Sequence, residues 1–299
     1  MSNPIESALA TGSSVEPSDR EPVTLRTLQK MVRSGERFSC LTCYDATTAR
    51  WLGRAGLEVL LVGDTAAEVI LGFPSTIHAP LDFMVVLTAA VKRGAPACMV
   101  MADMPFMSYQ PSEADAIRNA GRFMTEGLAD LVKLEVDVSF APRVEALVRA
   151  GVPVVAHIGS RPQRAKLRGG YSAEGRTAVA ASGLLADAAA LEAAGACMLL
   201  VEACPEEVTA EIVRRAQVPV IGCGAGSSCH GQVLVLQDVL GLTDWQPAFA
   251  RPIVDLGAAI ESAARRWRER VRSGQLGEHP YRMAPEEAAR FQASVRAGA

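Results

Sequence analysis

Six residues have the types and the placing to do acid–base or metal chemistry on a small molecule: Asp64, Asp103, Lys133, Glu135, His157 and Glu202. Each stands at or just past the end of a short aliphatic run. Asp64 follows EVLLVG (from Glu58), Asp103 follows ACMVMA (from Ala97), and Lys133 and Glu135 fall within LVKLE (from Leu131). His157 closes VPVVAH (from Val152) and Glu202 closes ACMLLVE (from Ala196). A lone carboxylate in such a place usually caps a following helix or meets a backbone amide. A set of six in register on successive runs asks for more than that. Several carboxylates with open coordination positions, and no clustered Cys or His, favour a hard, oxygen-preferring cation, Mg2+ before Zn2+.

Other motifs carry less. Cys40 and Cys43 have CxxC spacing, but they lie in an apolar run without a second pair, which reads as structural. Gly222-Cys-Gly224-Ala-Gly226 is either a turn whose amides approach a phosphate or a gap left for a substrate. Arg168-Gly-Gly-Tyr171 reads as either a lid or an ordinary surface turn.

The elements that must position these residues are legible in outline. Seven runs read as strands: EVLLVG, ACMVMA, LVKLE, VPVVAH and ACMLLVE, with FSCLTC (from Phe38) and VPVIG (from Val218) completing the set. None alternates strictly between apolar and polar, as befits strands covered on both faces in a parallel sheet. Between them lie stretches of helical period, 81–92, 112–126, 178–194 and 205–216. The alternation gives an α/β class and a (β/α)8 barrel in preference to an open doubly wound sheet. The eighth strand is expected near Ala248–Val254, where Pro247 and Pro252 weaken the signal, before a last amphipathic helix to about Val271. In a barrel the carboxyl ends of the strands share one face. Lys133 and Glu135, two apart, then point together, and inward.

A chain of 299 residues, 49% hydrophobic and only 5% aromatic, builds one large aliphatic core. A net charge of −3 offers neither nucleic acid nor an anionic membrane a basic surface. The seven cysteines, odd in number and scattered through apolar runs, suit a reduced, cytoplasmic protein. Residues 1–24 read as a disordered extension, 25–274 as the catalytic barrel and 275–299 as a tail.

The words around the strand ends carry a resemblance. TCYDATTA (from Thr42), LVGDT (from Leu61), AAVKRGAP (from Ala89), ADMPFMSY (from Ala102), VKLE (from Val132), AHIG (from Ala156), RGGY (from Arg168) and VIGCGAG with GQVLVLQDVLGL after it come in one fixed succession. Together they resemble the ketopantoate (3-methyl-2-oxobutanoate) hydroxymethyltransferase family, from about Leu25 to Gly274. The resemblance implies a barrel of the phosphoenolpyruvate mutase/isocitrate lyase-like superfamily, Mg2+, 5,10-methylenetetrahydrofolate as one-carbon donor, a 2-oxo acid substrate and a homo-oligomer, a decamer being common. Carried to matching positions, Asp64 and Asp103 become direct metal ligands and Glu135 reaches the metal through water or from behind. Thr65, Lys133 and His157 bind the organic substrate together with the two aspartates. Glu202 becomes the base that removes the C3 proton, its basicity raised by its apolar setting.

The chain departs from the family's words at Thr65 (usually Ser), Phe73 (His), TIHAPL from Thr76, Leu87 (His), Val136-Asp137 (two Gly) and His230 (Asp). Phe73 is expected either to widen an apolar pocket or to repack a loop, and His78 and His230 are read as compensating polar groups or plain loop histidines. The leading reading is hydroxymethyl transfer to 3-methyl-2-oxobutanoate in pantothenate synthesis. A second is metal-dependent aldol or lyase chemistry on another 2-oxo acid. A third, from another class, is a non-catalytic binding or assembly protein.

Overall fold

A computed structural model describes residues 20–298, so most of the expected N-terminal extension lies outside the described residues. Eight parallel strands close into a barrel in sequence order: β1 (Phe38–Thr42), β2 (Val59–Val62), β3 (Met99–Asp103), β4 (Leu131–Glu135), β5 (Val154–Gly159), β6 (Met198–Glu202), β7 (Val220–Cys223) and β8 (Gly231–Leu234). Buried throughout, β2 to β5 show why these runs lack alternation: both of their faces are covered.

The two faces build two cores. Facing the helices are Leu60, Val62, Val100, Ala102, Val132, Leu134, Val154, Ala156, Leu199 and Val201. Facing the barrel axis are Phe38, Cys40, Val59, Leu61, Met99, Met101, Leu131, Val155, Met198, Leu200, Ile221 and Val233. Val23 and Leu28 join the inner set, and the Val23 N–H donates to the Ala97 carbonyl at 2.8 Å, so the chain just before the first strand packs into the barrel core. Cys40 belongs to the inner core and Cys43 to the outer one, and both are free thiols. Their CxxC spacing therefore directs them into opposite cores, with no shared chemistry.

The eighth strand is Gly231–Leu234; Ala248–Val254 is irregular chain. The expected segment loses because two prolines remove ladder donors. The winning one is easily passed over because its aliphatic run, VLVL from Val233, lies only half within the strand, behind Gly231 and Gln232. Its first residue must be small: a Cβ on Gly231 would overlap the Phe38 ring of neighbouring β1. Closure is completed by the Leu236 N–H, which donates to Thr42 Oγ1 at 2.9 Å.

Helices Leu81–Gly94, Glu113–Thr125, Ala178–Ala193 and Glu206–Arg215 fall where the helical periods predict them. Ser112 and Thr177 cap two of them, their hydroxyls accepting the N–H of Asp115 and Ala180. The chain divides into two compact units, the barrel to Ile253 and a second from Val254. The second contains the amphipathic helix Leu256–Ser273, capped by Asp255 and stopped by Gly274, and the helix Pro285–Ala297. Among the described residues, no helix is long and apolar enough to cross a membrane.

Candidate active site

Strand register brings the chemistry together. Asp103 pairs with Lys133, Glu135 with His157, and Gly159 with Glu202. On β3, β4, β5 and β6 these side chains continue the inward series of Met101, Leu131, Val155 and Leu200. A polar ring thus sits directly above an apolar floor, at the carboxyl end of the barrel. Asp64, Asp103, Lys133, Glu135 and His157 are all at most 5% exposed, whereas the Glu202 side chain is 22% exposed. Thr65 stands beside Asp64, its hydroxyl 2.6 Å from the Tyr44 hydroxyl.

The ring is a connected chain of charges. Lys133 Nζ lies 3.1 Å from Asp103 Oδ1 and 3.0 Å from His157 Nδ1. Burial pulls the Lys133 ammonium down, but Asp103, Asp64 and Glu135 together outweigh it and hold the group above its ordinary value. His157 is held well below the usual histidine range, first by burial and then by the Lys133 and Arg161 charges, so it is neutral. An ammonium can only donate, so His157 Nδ1 accepts from Lys133 and the ring proton sits on Nε2. That Nε2–H faces Glu202 Oε2 at 3.4 Å.

Three of the carboxyls are made unusually basic. Burial, opposed by Lys133 and reinforced by Asp64 and Asp103, pushes Glu202 up to about 7. Glu135 is raised well above its ordinary value by burial and by the Asp64 charge. Asp103 is raised by burial, which outweighs the pull of Lys133. The backbone that carries Glu202 is tightly fitted. Gly159, at φ 91°, lets the β5 backbone pass where a Cβ would overlap the Glu202 carbonyl oxygen. That carbonyl accepts the Ser160 N–H at 2.8 Å, and Ala203, next in chain, sits in the left-handed region at φ 47°.

Two buried polar atoms of the ring lack a hydrogen-bond partner: Asp103 Oδ1, whose Lys133 neighbour is poorly aligned, and His157 Nε2. Buried polar atoms are rarely left so, and an acceptor and a donor left over in one ring suit a polar ligand. Among the described residues, no three His, Cys, Asp or Glu side chains converge closely enough to ligate an ion by themselves. The site offers a carboxylate pair instead, Asp64 and Asp103, joined by the Asp64 N–H donating to Asp103 Oδ2 at 3.0 Å. Such a pair suits a hard dication that takes its remaining oxygens from water and substrate.

Two site residues escape sequence reasoning. Gln163, on the turn after β5, donates from Nε2 to Asp64 Oδ2 at 2.9 Å and from its backbone to Glu135 Oε2 at 3.0 Å. Tyr109, in the segment after β3, places its hydroxyl 3.0 Å from Gln163 Oε1 and 3.1 Å from the Glu135 nitrogen. Neither residue ends a strand, and neither shows a period.

The remaining motifs sort themselves. In the Gly222–Gly226 turn the next amide, of Ser227, already donates to the Glu206 carboxylate at 3.1 Å, and the Phe249 ring fills the space a Cβ on Gly224 would need. A carboxylate at that amide disfavours phosphate. The Tyr171 hydroxyl donates to Glu68 at 3.2 Å and ties the segment after β5 to the one after β2. His230 lies at the opposite end of the barrel, where its Nδ1 accepts the Val220 N–H at 3.0 Å. Leu87 packs on the outer core, and Phe73, half-exposed, meets His78 in a tilted ring contact with centroids 5.2 Å apart. Asp137 is held by Arg161 at 2.6 Å and Arg164 at 2.9 Å; burial raises its pKa, but the Ser139 hydrogen bond and then the two arginines bring it down to about 2.

A sequence model described as ketopantoate hydroxymethyltransferase matches residues 22–279. The 3-methyl-2-oxobutanoate hydroxymethyltransferase of Hyperthermus butylicus is 46% identical over 263 residues, covering 88% of this chain and 91% of that one. The enzyme of the same name from Moorella thermoacetica is 43% identical over 260 residues, covering 87% and 97%. Among solved structures, 2,3-dimethylmalate lyase, a PEP mutase/isocitrate lyase superfamily member, superposes with a TM-score of 0.55 at 17% identity, covering 92% of this chain and 97% of that one. A phosphoenolpyruvate phosphomutase from Streptomyces platensis gives 0.59 at 15% identity, covering 91% and 98%. These two likenesses are likenesses of fold, a closed barrel of eight parallel strands.

Proposed function

The chain belongs to the ketopantoate hydroxymethyltransferase family, and on that footing we propose that it transfers a hydroxymethyl group from 5,10-methylenetetrahydrofolate to 3-methyl-2-oxobutanoate, giving 2-dehydropantoate. The observation that carries the reading is a carboxyl with a pKa near 7, Glu202, at the open side of a buried ring whose Asp103 Oδ1 and His157 Nε2 await partners. Asp64 and Asp103 would hold Mg2+, with Glu135 behind them. When bound, the cation supplies Lewis-acid polarisation of the 2-oxo group.

The chain's own residues do the rest. The Lys133 ammonium, the His157 Nε2–H and the Thr65 hydroxyl bind and orient the oxygens of the 2-oxo acid. Glu202, deprotonated above about pH 7, takes the proton from C3. A base matched to the working pH is worth about 10²–10⁴ in rate. The electron pair moves into the C2–C3 bond as charge gathers on the C2 oxygen, towards the Lys133 and His157 donors. Water takes the one-carbon unit from the folate as formaldehyde, both C–N bonds breaking and the two water protons passing to the folate nitrogens; C3 then attacks the formaldehyde carbon, and its oxygen takes up the proton that Glu202 removed. On the same reading the enzyme works in the cytoplasm on these two small molecules, as a homo-oligomer of up to ten subunits.

The test is an assay of the purified protein with Mg2+ and 3-methyl-2-oxobutanoate in D2O, with and without methylenetetrahydrofolate. Exchange at C3 in both cases, and 2-dehydropantoate only with the folate, is the expected result. Exchange without any 2-dehydropantoate would shift the reading to another 2-oxo acid reaction. Absence of both would refute it.

A further inference from the structure

We propose that Gln163 is a positioning residue, a neutral brace that fixes the directions of Asp64 and Glu135 before any cation or substrate arrives; this rests on the function proposed above. Gln163 lies in the turn Pro162–Arg164 and is 6% exposed. A side-chain amide has two N–H donors and two acceptor lone pairs; here both donors are used, and the oxygen accepts from Gln110 while sharing the one Tyr109 hydroxyl proton with the Glu135 carbonyl, 3.0 Å away. Nε2 donates to Asp64 Oδ2 at 2.9 Å and to the Met104 carbonyl at 3.1 Å. Oε1 lies 3.0 Å from the Tyr109 hydroxyl and accepts from Gln110 Nε2 at 3.0 Å. The backbone N–H of the same residue donates to Glu135 Oε2 at 3.0 Å.

Only one orientation of the amide is consistent with these neighbours. Turned over, its oxygen would face a carboxylate oxygen and a carbonyl, and its NH2 would face the NH2 of Gln110. Because the surroundings fix the amide, the amide fixes Asp64, and its backbone fixes Glu135 on a different strand. Asp64 and Glu135 are both carboxylates held by one residue, and their like charges repel. The chemical type of the brace therefore matters. A lysine would neutralise the pair and compete with a cation, and a glutamate would add a third repelling charge. An amide holds the carboxylates apart while leaving their negative potential free to bind a dication.

The experiment is titration calorimetry of Mg2+ alone into the purified full-length protein, with the melting temperature of the cation-free protein and the Mg2+ dependence of C3 exchange measured beside it. For Gln163→Met we expect the Mg2+ Kd to rise about 10–100-fold. Exchange should need correspondingly more Mg2+, yet come back to within a few-fold of the parent rate at saturation. A residue that serves stability alone would lower the melting temperature and leave the Kd of the folded protein unchanged. Gln110→Ala, at the part-exposed end of the brace, keeps the test open should the Gln163→Met protein fail to fold, and should raise the Kd about 2–5-fold in the same direction. An unchanged Kd in these variants would overturn the brace. A parent protein that neither binds Mg2+ nor catalyses exchange would instead overturn the proposed function, and this role with it.

Discussion

Replacing Glu202 by Gln should make the protein less active and, at alkaline pH, more stable. In the folded chain the Glu202 carboxyl titrates near 7 against an ordinary 4.5, chiefly because burial disfavours its charge. Between these values the folded state holds a proton that the unfolded state has released. Stability from this group is therefore complete below about pH 4.5 and lost as pH rises through about 7. At about 1.4 kcal/mol per pH unit, the loss has a ceiling of about 3 kcal/mol. The 22% exposure of the side chain lets water share the charge, so we expect about 1–2 kcal/mol. Glutamine has nearly the same shape and never ionises. In urea unfolding, Glu202→Gln should match the parent near pH 4.5 and exceed it by that amount at pH 8. Its C3 exchange rate should fall about 10²–10⁴-fold, with the inflection near pH 7 abolished. Equal stability at pH 8 would refute the burial reasoning, and an unchanged exchange rate would refute the base.

Three further outcomes follow from the same geometry. Asp64→Asn and Asp103→Asn should each weaken Mg2+ binding by more than about 100-fold in calorimetry; parent-like affinity in either variant removes that residue from the cation site. The His157 ring should be neutral at pH 7 with its proton on Nε2, because burial and then the Lys133 charge oppose a second proton. Nitrogen NMR of the imidazole would contradict this by showing an imidazolium at that pH. Gly159→Ala forces a left-handed alanine with its Cβ against the Glu202 carbonyl. It should cost about 2–5 kcal/mol in denaturant unfolding, and a cost below about 1 kcal/mol would mean that the β5–β6 contact is looser than described.

What can be read from the chain alone is whatever leaves a local signature. Seven strands announce themselves as aliphatic runs because a two-sided burial demands apolar residues at consecutive positions. β8 does so only faintly, because half of its VLVL run lies beyond the strand and its residues take their place by register: Gly231 yields to the Phe38 ring, and the Leu236 amide closes on Thr42. The strand-end acids and Lys133 are visible for the same reason, as polar residues where apolar text stops. Gln163 and Tyr109 are not, since each acts through hydrogen bonds from loops, and a loop amide looks the same whether it faces water or Asp64. The signal that exists for Gln163 is its position a few residues beyond His157, on the segment that must cross the mouth. His230 misleads in the other direction, since its distance from the mouth becomes clear only once the place of β8 is known.

The register of β3 to β6 also bears on time. Asp103, Lys133, Glu135, His157 and Glu202 meet only when four parallel strands have paired without a slip. A shift of one residue in any of them would turn its polar group toward the helices and an aliphatic side chain into the ring. Pairings so far apart in sequence are slow to form. Substrate exchange at C3 should therefore reappear late in refolding, after helical signal has returned, and its recovery would clock the moment at which the barrel acquires its final alignment.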